Sequence, residues 1–451
     1  ALYYINTANG ANGGVGKIKI TNSGNTYFAS ALEPSKYNGA TFTAIQNGFN
    51  AINGGTGYID IELDATLETE KINERTEAFG IRGAGGNGAV DGSIGYITIT
   101  DKGDNDIIGI FSDEVENNYS THNYKGSSIE LNSSANKDSN VIGIKTAGAS
   151  YNYGDIKINL TNRATAYGIY MTRDGVTENY TATDNATNVG TITINREYTD
   201  NNIEASDTAS SDTYGMIGGH DKINRGEIII NGPTAPAANQ KDYIYGMYES
   251  AAYGATEENK TKIINYGTIK VTGGYQHYGM YNNAPMGSYN LSYNYGTVYG
   301  DMLNVHNAAG AKLYGKFEVE NMYEGVNNGD AEHIATSAND QDNGYIEYTL
   351  SDDDAIAISV KPLYSSRKDY FHNYGVINIF NNSNEGAVIE TTSDNVHNYG
   401  YIKLTNQKDN ATFSAVGKAS TRGIVNHGTI EITSNDKNNI TMAGAIITDG
   451  S

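Results

Sequence analysis

The sequence predicts an all-β chain wound as a right-handed, single-stranded parallel β-helix of about 14 coils, at roughly 30 residues per coil. Three observations predict it. Short strings of strictly alternating apolar and polar residues recur along the chain. An Asn-x-Gly-x-Ile/Val unit opens many of them in fixed phase. A second string, centred on Gly between apolar residues, falls between successive units.

The alternating strings read as strands. Examples are Gly16-Lys17-Ile18-Lys19-Ile20, Gly57-Tyr58-Ile59-Asp60-Ile61, Gly95-Tyr96-Ile97-Thr98-Ile99 and Gly154-Asp155-Ile156-Lys157-Ile158. Strict alternation puts every second side chain on one face of a strand, and β-branched Ile, Val and Thr suit a pleated surface. The abundance of Asn, Gly, Ser and Thr, with a net charge of −22, resembles a disordered composition. A disordered chain has no reason to keep a period of two.

The Asn-x-Gly unit reads as a coil corner. It occurs at Asn152-Tyr153-Gly154, Asn188-Val189-Gly190, Asn224-Arg225-Gly226, Asn265-Tyr266-Gly267 and Asn294-Tyr295-Gly296. It returns at Asn373-Tyr374-Gly375, Asn398-Tyr399-Gly400 and Asn426-His427-Gly428. The Gly positions step by 36, 36, 41, 29, 79, 25 and 28, and looser copies at Gly315 and Gly344 divide the long step. Gly accepts positive φ without steric cost, and Asn bonds its own backbone or tolerates the left-handed region. Gly267, Gly296, Gly375, Gly400 and Gly428 are therefore expected to disfavour a Cβ. Asn265, Asn294, Asn373, Asn398 and Asn426 are expected to stack into a ladder, with an aromatic column at Tyr153, Tyr266, Tyr295, Tyr374, Tyr399 and His427 beside it. Two residues after each Gly, the inward Ile269, Val298, Ile377, Ile402 and Ile430 are expected to form one buried column, with Lys403 outward.

The Gly-centred strings supply the other clear strand. They include Phe79-Gly80-Ile81, Ile108-Gly109-Ile110, Ile142-Gly143-Ile144, Tyr167-Gly168-Ile169, Tyr214-Gly215-Met216, Tyr245-Gly246-Met247 and Tyr278-Gly279-Met280. Each repeat has room for a third strand but none for a crossover helix. Such a unit buries its apolar face only by stacking on like units. At ~4.8 Å per coil the stack makes a rod of order 65–70 Å, one architecture over residues 1–451. An antiparallel sandwich does not account for one turn per repeat in fixed phase, and a propeller needs three more strands per blade.

Composition narrows the function. The 451 residues carry 30 Lys+Arg against 52 Asp+Glu, an acidity that argues against wrapping a nucleic acid backbone. The absence of Cys excludes disulfides, zinc–thiolate sites, iron–sulfur clusters and a cysteine nucleophile. No apolar run approaches the roughly 20 residues of a membrane helix, and no basic-then-apolar signal opens the sequence.

A search for chemistry returns no catalytic set. Glycoside hydrolysis needs two carboxylates across a cleft, and the densest acidic run, Asp352-Asp353-Asp354, reads as a solvated corner. Gly85-Gly86-Asn87-Gly88-Ala89-Val90-Asp91 resembles a calcium-binding nonapeptide, but occurs once and reads as a loop. His372 and His397 precede Asn-Tyr-Gly units one coil apart. Val425 follows in that column, which leaves too few ligands for a metal. No metal and no cofactor is expected.

Binding is the remaining class. The chain has 36 Tyr and no Trp, and Tyr offers an apolar face with a polar tip. Tyr180, Tyr198, Tyr253, Tyr275, Tyr289 and Tyr293 fall outside the regular phase and are the binding candidates. The longest departures from the repeat, near 171–187, 196–213, 231–242 and 249–262, are expected as protruding loops. In a solenoid such insertions emerge on one face, often the binding face.

The alternation of a Gly-centred apolar string with Asn-x-Gly-x-Ile-x-Ile, over essentially the whole chain, resembles the passenger region of type V autotransporters from Gram-negative bacteria. That resemblance implies a cleaved signal peptide and a C-terminal outer-membrane barrel, neither within these 451 residues, and display at the cell surface. The expectation is a surface binding protein, an adhesin for host cells, glycans or other bacteria. Its partner is then a surface glycan or protein, with no nucleic acid, membrane contact only through the absent barrel, and self-association left open. The alternatives are a β-helical polysaccharide-active enzyme, such as a lyase or depolymerase, and a structural stalk or filament subunit. Paired acids with an Arg or Lys on neighbouring coils would mark the enzyme.

Overall fold

The computed structural model describes residues 2–7, 11–12, 17–22, 41–47, 52–53, 57–63, 77–83, 90–103, 105–112, 120–134, 139–172, 184–198, 211–233, 242–249, 261–274, 276–283, 290–299, 304–306, 310–313, 316–319, 331–333, 345–350, 355–360, 370–382, 384–391, 395–409, 411–417, 424–434 and 442–444. Every regular element among them is a β-strand. The strands pair in parallel with their equivalents one repeat away, so the chain folds as a parallel β-helix.

One coil shows the pattern. Asn140–Thr146 carries the Gly-centred string and lies in a sheet we call A. Ala149–Asn152 is the short third strand, in sheet B, and ends on the corner Asn. Asp155–Leu160 is the alternating strand, in sheet C. The next coil repeats this with Thr165–Met171, Ala186–Asn188 and Thr191–Arg196. The chain divides into two compact units, residues 1–246 with 272–276, and residues 247–271 with 277–451.

In the first unit sheet C supplies two core columns. Ile59, Ile97, Ile129, Ile156, Ile192 and Ile228 follow one another in register, and Ile61, Ile99, Leu131, Ile158, Ile194 and Ile230 run beside them. All are buried, and each such side chain contributes about 1.5–3 kcal/mol of burial free energy. In the second unit the register runs Ile269, Val298, Phe317, Ile346, Ile377, Ile402 and Ile430. The strands Lys316–Val319 and Tyr345–Leu350 thus fill the long step in the repeat. Ile269, Val298, Ile377 and Ile402 are buried, but Ile430 is only half-buried. Its strand, Thr429–Ser434, is last in the order of sheet C and, among the described residues, is paired on one side only. Also in this unit, Ala355–Val360, Glu385–Thr391, Thr412–Gly417 and Met442–Gly444 form a separate parallel sheet.

Two glycine roles differ from simple alternation. In sheet A, Ile107, Ile108, Ile110 and Phe111 pair with Val141, Ile142, Ile144 and Lys145, and the central Gly is passed over. Residues three apart across that Gly share the outer face: Tyr167 and Tyr170 stack at 4.6 Å, and Arg82 covers the Phe79 ring at 5.0 Å. The phase of the strand therefore slips by one residue at the Gly. A Cβ on Gly143 would stand 2.6 Å from Ile156 Cγ2 and 2.6 Å from the Gly168 carbonyl oxygen.

At the corners the expected positive φ is not the reason for glycine. Positive φ occurs at Gly126, Gly218, Gly219, Gly273 and Gly274, whereas Gly296, Gly400 and Gly428 lie outside that region. What excludes a side chain is the adjacent coil. A Cβ on Gly296, Gly400 or Gly428 would collide with the carbonyl oxygen of Gly267, Gly375 or Gly400 respectively. Those same carbonyls accept hydrogen bonds of 2.9 Å from the amides of Thr297, Tyr401 and Thr429. The glycines permit the backbone approach that joins the coils.

Candidate functional site

The corner has an inner and an outer side. Inward, the Asn side chains form the expected ladder, each Nδ2 donating to the next Oδ1. In the first unit the bonds run Asn123 to Asn152 (2.7 Å), Asn152 to Asn188 (2.7 Å) and Asn188 to Asn224 (2.8 Å). In the second, Asn265 donates to Asn294, Asn373 to Asn398, and Asn398 to Asn426, each at 2.7 Å. Asn265, Asn294, Asn373 and Asn398 are buried, so this bonding offsets the desolvation of their amides. At three corners of the second unit the Asn Oδ1 also accepts from the Gly amide, at 3.2 Å for Gly267, 3.3 Å for Gly296 and 3.1 Å for Gly375.

Because alternation turns the Asn inward, the residues on either side of it face out. They are aromatic in three places. In the first unit His122, Tyr124, Tyr151 and Tyr153 stack, with ring centroids 4.8–6.5 Å apart. In the second unit Tyr266 and Tyr295 stack at 5.0 Å, with Tyr293 6.1 Å from Tyr295. Further on, Tyr374 and Tyr399 stack at 4.8 Å, and Tyr399 and His427 at 4.7 Å. His372 and His397 adjoin that stack. Tyr153, Tyr266, Tyr295, Tyr374 and Tyr399 are 39–43% exposed. Val189 and Arg225 hold the equivalent places in their coils, and both are exposed.

Stacking at the coil spacing decides what this ridge offers. Tyr399, with Tyr374 on one face and His427 on the other, presents its C–H edge and hydroxyl tip to solvent. Burial, then the neighbouring Tyr153, holds the Tyr124 phenol above its usual pKa. Burial lowers that of His122. His397 is lowered by burial and then by His372 and His427. A hydrogen-bonding aromatic edge is suited to hydroxylated or amide-bearing partners.

The six tyrosines read from the sequence as binding candidates separate in the structure. Tyr293 belongs to this ridge, and it stands in phase, in the strand Asn290–Asn294 one residue before the corner Asn. Tyr198 does not face solvent with its polar tip: its hydroxyl is buried beside Arg196 and Asp242, and burial raises its pKa. Tyr180, Tyr253, Tyr275 and Tyr289 lie outside the described residues, as do residues 173–183, 199–210, 234–241 and 250–260, which make up most of the four expected loops. Gly85 to Ala89, Gly315, Gly344 and Asp352 to Asp354 also lie outside them.

Sequence reasoning missed two groupings. The first is a buried polar knot in the first unit. Arg196 Nη2 donates to the Ala164 carbonyl (2.6 Å) and to Thr213 Oγ1 (3.0 Å), while the Tyr214 hydroxyl donates to Asp212 Oδ2 (2.9 Å). Burial raises the Asp212 pKa, Tyr214 and Arg196 oppose that, and Asp242 adds to it. Two acids beside an Arg are the pattern named above for an enzyme. Here Arg196 and Asp242 are 1% and 2% exposed. The second grouping is His427 beside His397. The two come from adjacent outward columns, so a search along one column does not connect them. Among the described residues no set of three His, Asp or Glu side chains stands ready to hold a metal.

Comparison with protein-family models, with curated proteins and with solved structures returns no match. The assignment of fold and corner rests on the geometry of this chain.

Proposed function

We propose that the chain is a surface-displayed binding protein, an adhesin of the autotransporter-passenger type, whose aromatic corner ridge engages a glycan or protein on a host or bacterial surface. The observation that supports it is the pair of exposed stacks, Tyr266 with Tyr295 and Tyr374 with Tyr399, and the half-buried Tyr293 beside the first, on a β-scaffold. Tyrosine carries a large contact area with few rotatable bonds, and it is enriched where proteins make contact. The test replaces Tyr266, Tyr295, Tyr374 and Tyr399 with Ser. Attachment to cells or to a glycan array is expected to fall at least tenfold, in line with the loss of aromatic anchors, while the circular dichroism of the β-helix stays. Unchanged attachment would remove the ridge from the reading. A companion deletion of 199–210 leaves Arg196 and Asp212 in place and asks whether the expected loop contributes.

The pairing of Asp212 with Asp242 beside Arg196 favours one second reading, a polysaccharide-active enzyme. Incubation with acidic and neutral polysaccharides is expected to release no reducing ends. Release that disappears in Asp242→Asn would replace the adhesin reading.

A further inference from the structure

His372 and His397 are register partners in sheet B, with ring centroids 5.1 Å apart and rings edge-on. The next coil places Val425 in that column. Two residues later, however, His427 stacks on Tyr399 and brings its Nε2 to 3.5 Å from His397 Nδ1. The Tyr399 hydroxyl stands 3.3 Å from the same His397 nitrogen. Two further donor atoms, one from the same coil and one from the next, thus stand within 3.5 Å of His397 Nδ1.

These separations have a meaning in coordination chemistry. Two ligand atoms bound at about 2.0–2.1 Å and at a tetrahedral angle lie roughly 3.3–3.4 Å apart. The distances of 3.5 and 3.3 Å are therefore close to two edges of such a polyhedron, sharing His397 Nδ1. Imidazole nitrogen suits zinc, copper and nickel, and with no Cys in the chain no thiolate competes. The acidic chain also enriches cations near its surface.

We propose that His397 and His427, with the Tyr399 phenol oxygen beside them, form a surface site for a divalent transition cation of the zinc, copper or nickel type. The rings of His397 and His427 are parallel to within 8°, so one ion does not lie in both ring planes until one imidazole turns. His427 is exposed and free of core packing, and it is the ring that turns. Water, or a donor from a bound partner, fills the positions that face solvent.

The test is calorimetric titration of the tag-free chain with zinc and with nickel, and electron paramagnetic resonance of its one-equivalent copper complex. One saturable site is expected, with hyperfine structure from two imidazole nitrogens. His397→Gln and His427→Gln are each expected to weaken binding at least tenfold, the scale seen when a metal site loses a supporting group. Tyr399→Phe should weaken it less. The copper spectrum of the unaltered chain needs no variant to fold. No saturable binding, a spectrum without two coupled nitrogens, or titrations unchanged in both Gln variants would overturn the proposal.

Discussion

Gly400 and Gly126 are glycine for different reasons, and substitution separates them. Gly126 has φ of +87° and nothing within 4 Å of an added Cβ. Ala there carries the left-handed penalty alone, about 1–2 kcal/mol. Gly400 is outside that region, but its Cβ would strike the Gly375 carbonyl that holds the Tyr401 amide. Gly400→Ala must push adjacent coils apart or lose that bond, so it is expected to lower the urea midpoint more than Gly126→Ala. The reverse order would mean that corner dihedrals, not coil contact, select the glycine. His122 supplies a second residue-level test. Its Nε2 is 2.8 Å from Ser120 Oγ, its Nδ1 is buried without a partner, and Tyr124, Tyr151 and Tyr153 pack around it. Burial holds its pKa below 6.5. The folded state then binds fewer protons than the unfolded chain, so the stability is fully present above pH 6.5 and is lost as pH falls from there through the folded pKa. Denaturation series across that window should show a smaller acid loss in His122→Gln than in the unaltered chain.

At the scale of a strand, alternation makes a quantitative claim. In Tyr401–Asn406, Ile402 and Leu404 are buried while Lys403 points outward, 3.6 Å from Glu431. Ile402→Ala is expected to cost about 2–5 kcal/mol through lost burial and a residual cavity. Lys403→Ala removes an exposed ion pair and should cost at most about 1 kcal/mol. Paired urea denaturation of the two variants compares them directly, and equal effects would refute the strand phase. This phase was legible in the sequence, as were the Asn ladder and the aromatic column, because each is a local pattern repeated in register. Other features depend on what sits next in space. The slip at Gly143 was hidden because a fixed period of two cannot register a bend (Ile156, from another strand, occupies the space a side chain would need). Ile430 has the same alternating pattern around it as Ile402, yet among the described residues only Ile402 has a stacked strand on both sides. Arg196, Asp212 and Asp242 share no motif, and only the coil brings them together.

Within each unit the described strands of a sheet pair with their counterparts one repeat before and after. Stability in such an array is approximately a sum of coil terms and nearest-neighbour interfaces. The net charge of −22 adds a diffuse repulsion, which salt screens over roughly 8–10 Å. Local damage should therefore stay local. In Ile402→Ala, hydrogen exchange is expected to speed up in Tyr401–Asn406 and in its two partners, Val376–Asn381 and Thr429–Ser434. Strands far away in the repeat order, such as Tyr96–Asp101, Ser128–Ser133 and Asp155–Leu160, should exchange as before. Peptide-resolved exchange under native conditions reads both groups in one experiment. A uniform acceleration would show that the chain opens as one cooperative body, and that a corner variant acts on distant coils. A graded acceleration, confined to the neighbours of the altered coil, is what nearest-neighbour stacking requires, and it would let ridge variants be tested for binding without disturbing coils far from the substitution.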